Sequence, residues 1–345
     1  MDFSQKILRW YTENKRELPW RTTQNPYNIW LSEVMLQQTR VAQGLPYYKK
    51  FIKAFPTVTD LANASEEKVL KLWQGLGYYS RARNMHATAR YVVAENGAEF
   101  PKTYEGLLKL KGVGDYTASA IASICYGEPQ PVVDGNVYRV LARYFGVDLP
   151  TNSTAGIKYF KQLAKEVMSA STVRDYNQGI MEFGAIQCAP KNPNCTVCPL
   201  NDGCKALQKG LVGQLPVKLK KNKVKKRFFN YLVLIDSDGN TQLEKRTQKG
   251  IWQNLYQFPL LESEGVLGMM DVHLVEEKCK GFGTVSSIES YNQEPIVHKL
   301  SHQHLYTKFW VVKLSSVLKN GVSVENVKEY PVPVLMADFI NTYKF

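Results

Sequence analysis

Residues 110–115 read Leu-Lys-Gly-Val-Gly-Asp, and further on residues 132–137 read Val-Val-Asp-Gly-Asn-Val. Two glycines separated by one apolar residue permit a tight turn with close backbone approach to a partner. Amphipathic runs flank that turn, so it reads as a hairpin between two helices. The helix that follows presents unpaired N–H groups at its start, a ready site for phosphate oxygens. A lone Gly-Val-Gly is a weak signal, since many turns between helices contain glycine. Asp134 in the second string carries two readings. It can cap the helix beginning at Gly135, or its carboxylate can face a group on which positive charge develops.

Outward from these strings, residues 4–209 are patterned as helices. Amphipathic runs such as residues 68–73 and 116–125 are separated by short Gly, Pro and Asn breaks. The composition changes at residues 217–227, VKLKKNKVKKR, with seven basic side chains in eleven positions. This is an exposed linker, read equally well as a solvated tether or as a DNA contact. Residues 227–236 then form an apolar, aromatic run, followed by the turn Ser-Asp-Gly-Asn and residues 241–246. The arrangement predicts a β-hairpin. Further strand-like runs cover residues 294–299 and 306–314. The expected fold is therefore all-α in its first two thirds, followed by a separate α+β domain.

The chain has 345 residues, 44% of them hydrophobic, and a net charge of +13. That size allows about two domains. The excess charge favours a polyanionic partner, nucleic acid first, although an acidic membrane surface also fits. The longest apolar stretch, residues 231–235, is far too short to cross a bilayer. The first twenty residues carry charges throughout and no apolar h-region. A cytoplasmic protein is expected, at the bacterial nucleoid, or a nuclear one in a eukaryote.

Six cysteines without a secretory signal argue against a disulfide framework. Four of them, Cys188, Cys195, Cys198 and Cys204, are spaced C-x6-C-x2-C-x5-C. Four thiolates in one loop can wrap a tetrahedral zinc or a cubane cluster. Zinc sites usually place cysteines in two close pairs, and only one close pair exists here. Cys125 and Cys279 stand alone and read as buried packing residues.

The cysteine spacing resembles the [4Fe–4S] loop of the endonuclease III superfamily of DNA glycosylases. The glycine hairpin and the Val-Asp-Gly-Asn string follow that superfamily's helix-hairpin-helix order. Near the N-terminus, Leu18-Pro-Trp-Arg21, residues 32–39 (Ser-Glu-Val-Met-Leu-Gln-Gln-Thr) and residues 75–79 (Gly-Leu-Gly-Tyr-Tyr) narrow the resemblance to the MutY-type adenine DNA glycosylases. These strings span residues 18–204 in family order. Residues 228–345 resemble that family's Nudix-like domain through residues 250–259 and His298-Lys-Leu-Ser-His302. The Glu-rich helix with which Nudix hydrolases hold Mg²⁺ is absent, so nucleotide hydrolysis is not expected.

The resemblance implies a helix-hairpin-helix glycosylase core with a [4Fe–4S] loop and a C-terminal α+β Nudix-like domain. It would comprise a six-helix module over residues 22–130 and a cluster module from residues 1–21 and 131–215. A basic linker at 216–227 would lead to a lesion-recognition domain at 228–345. The implied reaction is monofunctional removal of adenine paired with 8-oxoguanine or guanine in double-stranded DNA, by a monomer. Glu33, in an apolar helical stretch, would protonate adenine, since burial raises a carboxyl pKa. The bland alternative is a glutamate paired with an arginine. Asp134 would support the sugar cation, with Tyr116 and Asn136 assisting beside it. Arg16, Trp20, Arg21, Leu36, Val41 and Gln178 would line the adenine pocket. Gln38 and Tyr78 would wedge into the duplex, with Thr39 and Leu76 near the opposite base. Gly112 and Gly114 would meet the DNA backbone, where a monovalent or divalent cation is a further expectation. The four cysteines would hold the cluster.

Ser301 would read 8-oxoguanine and His302 would help the search, although both could simply close a hairpin turn. Leu300 stands where the family typically has Phe. Bifunctional relatives place a Schiff-base lysine at the position of Tyr116. The competing readings are a thymine-mismatch glycosylase or an endonuclease III-like lyase, a catalytically silent DNA-binding protein, and a Nudix hydrolase.

Overall fold

The computed structural model describes residues 2–219 and 224–345. Helices α1 (Phe3–Asn14), α2 (Pro26–Leu36), α3 (Val41–Ala54), α4 (Val58–Asn63), α5 (Glu66–Trp73) and α6 (Ser80–Asn96) come first. They are followed by α7 (Tyr104–Leu108), α8 (Asp115–Tyr126), α9 (Gly135–Phe145), α10 (Thr154–Val167), α11 (Val173–Ile186) and the short α12 (Lys205–Gln208). By internal contacts the chain divides into two units, Met1–Asn63 with Asn84–Lys220, and Ala64–Arg83 with Lys221–Phe345. The sequence reading places residues 64–83 in the six-helix module instead.

The helix starts follow local chemistry. Asp2 and Gln5 form a capping box on α1, Asn25 caps α2 ahead of Pro26, and Ser65 caps α5, whose first turn carries Glu66 and Glu67. Helix α2 is buried along its whole middle, from Ile29 to Met35, and packs against α8 and α3. Glu33 therefore has no exposed face to occupy. Helix α11 packs on α1, α9 and α8. Around it, Ile7, Trp10, Val137, Leu141, Phe160, Ile180 and Phe183 form a core, with Cys188, Cys198 and Cys204 packed at its edge. Gly184 lets α11 approach α9 closely, because a Cβ there would meet the Asn136 carbonyl oxygen at 2.8 Å.

The second unit is built on a sheet of strands β1 (Lys225–Ile235), β5 (Leu260–Ser263), β6 (Val285–Ser290), β7 (Ile296–Lys299) and β8 (Gln303–Leu314), in the order β5-β1-β8-β6, with β7 also on β8. The central pair β1 and β8 is parallel, placing Tyr231 opposite Phe309. Strand β1 is buried continuously from Phe229 to Leu234, as expected for a strand covered on both faces. Leu232, Leu234, Trp310 and Val312 pack with Val275 and Cys279 of α13 (Val272–Cys279), while Phe309 stacks on Phe339 of α14 (Val334–Thr342) at 4.2 Å.

Two expectations are corrected here. The run 227–246 is not a hairpin, although its turn forms: the Asp236 N–H donates to the Asn240 carbonyl, and Gly239 takes φ +77°. Both edges of β1 are already paired, with β8 and with β5. The following residues leave the sheet, so β2 (Asn240–Thr241) pairs with β9 (Val322–Ser323) and β3 (Glu244–Lys245) with β4 (Tyr256–Gln257). The expected linker also ends early, since residues 225–227 already belong to β1. Residues 220–223 of it lie outside the described residues. Among the described residues, no helix is long and apolar enough to cross a membrane.

Candidate active site

A cavity of about 690 Å³ opens in the first unit, lined by residues of α2, α8, α9, α11 and the segment around Trp20. Glu33, Tyr116, Asp134 and Asn136 reach it together. Glu33 is only 6% exposed. Burial raises its carboxyl to about 7, against a hydrogen bond from Tyr116 and with the nearby Asp134 charge adding to the rise. The Tyr116 hydroxyl donates to Glu33 Oε2 at 2.5 Å. Tyr116 meets Glu33 from the first turn of α8, which packs directly on α2, and lies near enough to Asp134 for that charge to be felt at its hydroxyl as well.

Asp134 caps a helix and also reaches the cavity. It caps α9: its Oδ1 accepts from the Asn136 and Val137 N–H groups, each at 2.8 Å. Its Oδ2 accepts from Asn136 Nδ2 at 2.7 Å, and the carboxylate lines the cavity. Burial raises its pKa and the N–H donors from Val137 and Asn136 oppose the rise. Arg139 extends this network. Its Nη2 donates to Asn136 Oδ1 at 2.9 Å and its Nε to the Cys188 carbonyl at 2.7 Å.

Arg16, Trp20, Arg21, Leu36, Gln38, Thr39, Val41 and Gln178 also line the cavity. Gln38 is exposed, with φ +58°. Gln178 accepts from the Tyr11 hydroxyl at 3.4 Å. The sequence reading missed Glu182, which is 1% exposed and anchors both arginines. Arg16 donates through Nε and Nη2 at 2.7 and 2.6 Å, and Arg21 through Nη1 and Nη2 at 2.9 and 2.6 Å. The arginine-paired glutamate weighed for position 33 is thus found at 182. Glu182 lies one helical turn after Gln178, and that spacing was the available signal. Burial pushes the Glu182 carboxyl up, but the bonds from Arg16 and Arg21 outweigh it and bring the group down to about 2.

Replacing Glu182 with Gln strands two cations beside a single acceptor oxygen. Denaturant unfolding at pH 7 is expected to show a loss of about 3 kcal/mol. A folded pKa below the unfolded one gives stability that is present above about 4.5 and lost as pH falls towards about 2. The parent and Glu182→Gln curves should therefore converge across that window. Parallel curves would contradict the pairing.

The hairpin joins α7 to α8. Gly112 has φ +78° and a Cβ there would meet the Asn84 side chain at 2.8 Å, so glycine is required on both counts. At Gly114 a Cβ would meet open space, and no side chain caps α8.

Cys188, Cys195, Cys198 and Cys204 converge on one loop, and the first two and the last are near enough to Cys198 for their charges to be felt there. Arg143 donates to Cys188 Sγ at 3.4 Å and to the Ala189 and Pro190 carbonyls at 2.8 and 3.2 Å. Four soft sulfurs are the donor type that a thiolate-held group takes, and Arg143 lies beside one of them, although the four are not closed around a common centre. Among the described residues no group of three or more His, Cys, Asp or Glu side chains could hold a metal ion. Cys125 is half-buried rather than fully buried, and Cys279 is buried as expected.

Leu76, Tyr78, Ser301 and His302 belong to the second unit. Leu76 is buried and Tyr78 exposed. Ser301 and His302 form the exposed turn between β7 and β8, with Ser301 Oγ 3.4 Å from His302 Nδ1. Helix α13 carries the adjacent pair Glu276-Glu277, but Val272-His273 and Cys279 stand where a Nudix metal helix (Arg-Glu-x-x-Glu-Glu-x-Gly) needs Arg-Glu and Gly.

Residues 31–158 match the HhH-GPD superfamily of base excision DNA repair proteins, and residues 230–342 match the NUDIX domain. The chain is 33% identical to the adenine DNA glycosylase of Buchnera aphidicola subsp. Baizongia pistaciae over 331 residues, covering 93% of this chain and 90% of that one. It is 44% identical to the adenine DNA glycosylase of Mus musculus over 222 residues, 62% of this chain and 43% of that one. Among solved structures, a thermostable thymine-DNA glycosylase aligns with TM-score 0.56 and 31% identity, covering 60% of this chain and 95% of that one. An endonuclease III trapped on DNA aligns with TM-score 0.53 and 22% identity over 60% and 95%, a likeness of fold. A helix-hairpin-helix core of the base-excision repair type, followed by a Nudix-like domain, places this chain in the adenine DNA glycosylase family, hydrolases of N-glycosyl bonds.

Proposed function

We propose that the chain removes adenine mispaired with 8-oxoguanine or guanine in duplex DNA, as a monofunctional glycosylase. The observation that carries this reading is the buried Glu33, raised to about 7 and sharing one cavity with Asp134. Adenine leaves poorly until a ring nitrogen is protonated, and a carboxylic acid still protonated near neutrality can supply that proton. Tyr116 occupies Glu33 Oε2, which leaves Oε1 for the proton. As the bond breaks, Asp134 stands ready as the carboxylate opposite the sugar cation, its charge held by Asn136 and the start of α9. Glu33, now ionised, takes a proton from the attacking water.

The base must leave the stack first. Gln38 and Tyr78 serve as wedges, Thr39 and Leu76 meet the opposite base, and Arg16, Trp20, Arg21, Leu36, Val41 and Gln178 receive adenine. The N–H groups after Gly112 and Gly114 hold a phosphate. Ser301 and His302, on an exposed turn, read the base opposite. Among the described residues lining the cavity there is no lysine, and Tyr116 offers no amine, which supports hydrolysis without strand cleavage. Cys188, Cys195, Cys198 and Cys204 would hold a [4Fe–4S] cluster, which when bound would tie the loop to α9 through Arg139 and Arg143.

The test is incubation with A:8-oxoguanine, A:G and T:G duplexes, each with and without alkali. Alkali-dependent breakage at adenine, strongest opposite 8-oxoguanine, is expected. Alkali-independent breakage would reject the monofunctional assignment, and release of thymine would favour the second reading, suggested by the likeness to the thymine-DNA glycosylase. Ser301→Ala is expected to cut the preference for 8-oxoguanine over guanine about five- to tenfold, the size of one lost hydrogen bond. An unchanged ratio would remove Ser301 from recognition.

A further inference from the structure

Tyr78 is 51% exposed, yet its backbone is held at φ +48°, between Gly77 at +76° and Tyr79. A tyrosine in the left-handed region is unfavourable and persists only where its surroundings over-determine it. One restraint comes from its own segment. Trp73 Nε1 and Arg81 Nη2 donate to the Gly77 carbonyl at 2.9 and 3.1 Å. The Arg81 guanidinium also lies 5.2 Å from the Trp73 ring and 5.5 Å from the Tyr78 ring.

The other restraint comes from the strand-rich part of the same unit. Gln74 Oε1 accepts from the Val332 N–H at 3.3 Å. The Tyr79 hydroxyl donates to the Val332 carbonyl at 3.3 Å and accepts from the Gly75 N–H at 3.4 Å. Lys71 Nζ reinforces the pair, donating to Gln74 Oε1 at 3.3 Å and to the Tyr330 carbonyl at 3.1 Å. Both ends of the loop 75–78 are therefore tied to one extended stretch, residues 330–332. A loop pinned at both ends to a single backbone segment keeps a conformation that it would otherwise relax.

We infer that Gln74 and Tyr79 are positioning residues, through which residues 330–332 of the C-terminal domain fix Tyr78 for insertion into the duplex. The domain then acts on base extrusion as well as on the base opposite. This rests on the wedge role proposed for Tyr78. Cutting the tie leaves the catalytic carboxylates untouched but lowers the fraction of molecules with Tyr78 ready to insert.

The test uses the full chain in three forms: Gln74→Ala with Tyr79→Phe, Tyr78→Ala, and all three changes together. Single-turnover adenine release is measured on an A:8-oxoguanine duplex. The emission of 2-aminopurine placed beside the 8-oxoguanine reports insertion, with Glu33→Gln added to keep adenine in place. The pair Gln74→Ala, Tyr79→Phe is expected to slow release about tenfold and to reduce the emission rise. Added to Tyr78→Ala, it should cause no further loss, because both act through one side chain. A loss that multiplies with that of Tyr78→Ala, or an undiminished emission rise, would overturn the tie. Tyr78→Ala behaving as the parent in both readouts would overturn the wedge role itself, and the inference with it.

Discussion

Replacing Glu33 with glutamine is expected to slow adenine release by about a thousandfold or more, the scale of a lost general acid, with duplex affinity unchanged. Glutamine keeps the shape and the oxygen that accepts from Tyr116 at 2.5 Å. It removes only the transferable proton. Loss of duplex binding in the same variant would make Glu33 a structural residue instead. The substitution also carries a stability signature. A buried carboxyl raised from 4.5 to about 7 opposes folding once it ionises, a cost that grows as pH climbs through that window. At pH 8 the Glu33→Gln protein should therefore be more stable than the parent by about 3 kcal/mol, with the difference vanishing below pH 4.5. A buried acid that works against its own fold in this way suits the proposed chemical role better than a packing role.

Asp134→Asn separates the capping of α9 from the catalytic role proposed for the same side chain. Asparagine caps helices about as well as aspartate, so the bonds to the Asn136 and Val137 N–H groups can persist and stability should change little. The negative charge is lost, and the new amide group faces the Asn136 Nδ2 donor, now 2.7 Å from Oδ2. Single-turnover release should fall about a hundred- to a thousandfold, as for removal of one preorganised electrostatic partner. Near-parental release would leave Asp134 as a cap and nothing more.

Much of this architecture is legible in local chemistry alone. Gly112 needs its positive φ, Asn25 and Ser65 sit where caps belong, and the stretch from Ile29 to Met35, apolar except for Ser32 and Glu33, reads as a buried helix with Glu33 inside it. What escaped depends on residues far apart in the chain. Glu182 meets Arg16 and Arg21 across more than 160 positions, and no spacing rule joins them. The hydrogen bond from Tyr116 to Glu33 arises because α8 packs on α2. The run after Asp236 looked like a hairpin partner for β1, but the strand's two edges had been claimed by β5 and β8, the latter some 80 residues downstream. Local patterns specify elements, and competition between distant partners decides which of them pair.

The pH dependence of single-turnover adenine release, measured between pH 5 and 9 on an A:8-oxoguanine duplex, tests the central claim most directly. If Glu33 donates the proton, the rate holds while the carboxyl is protonated and falls about tenfold per pH unit above about 7. The same profile in Glu33→Gln should be flat at its residual level. A parental rate that stays level, or rises, from pH 7 to 9 would contradict the assignment of Glu33 as the acid.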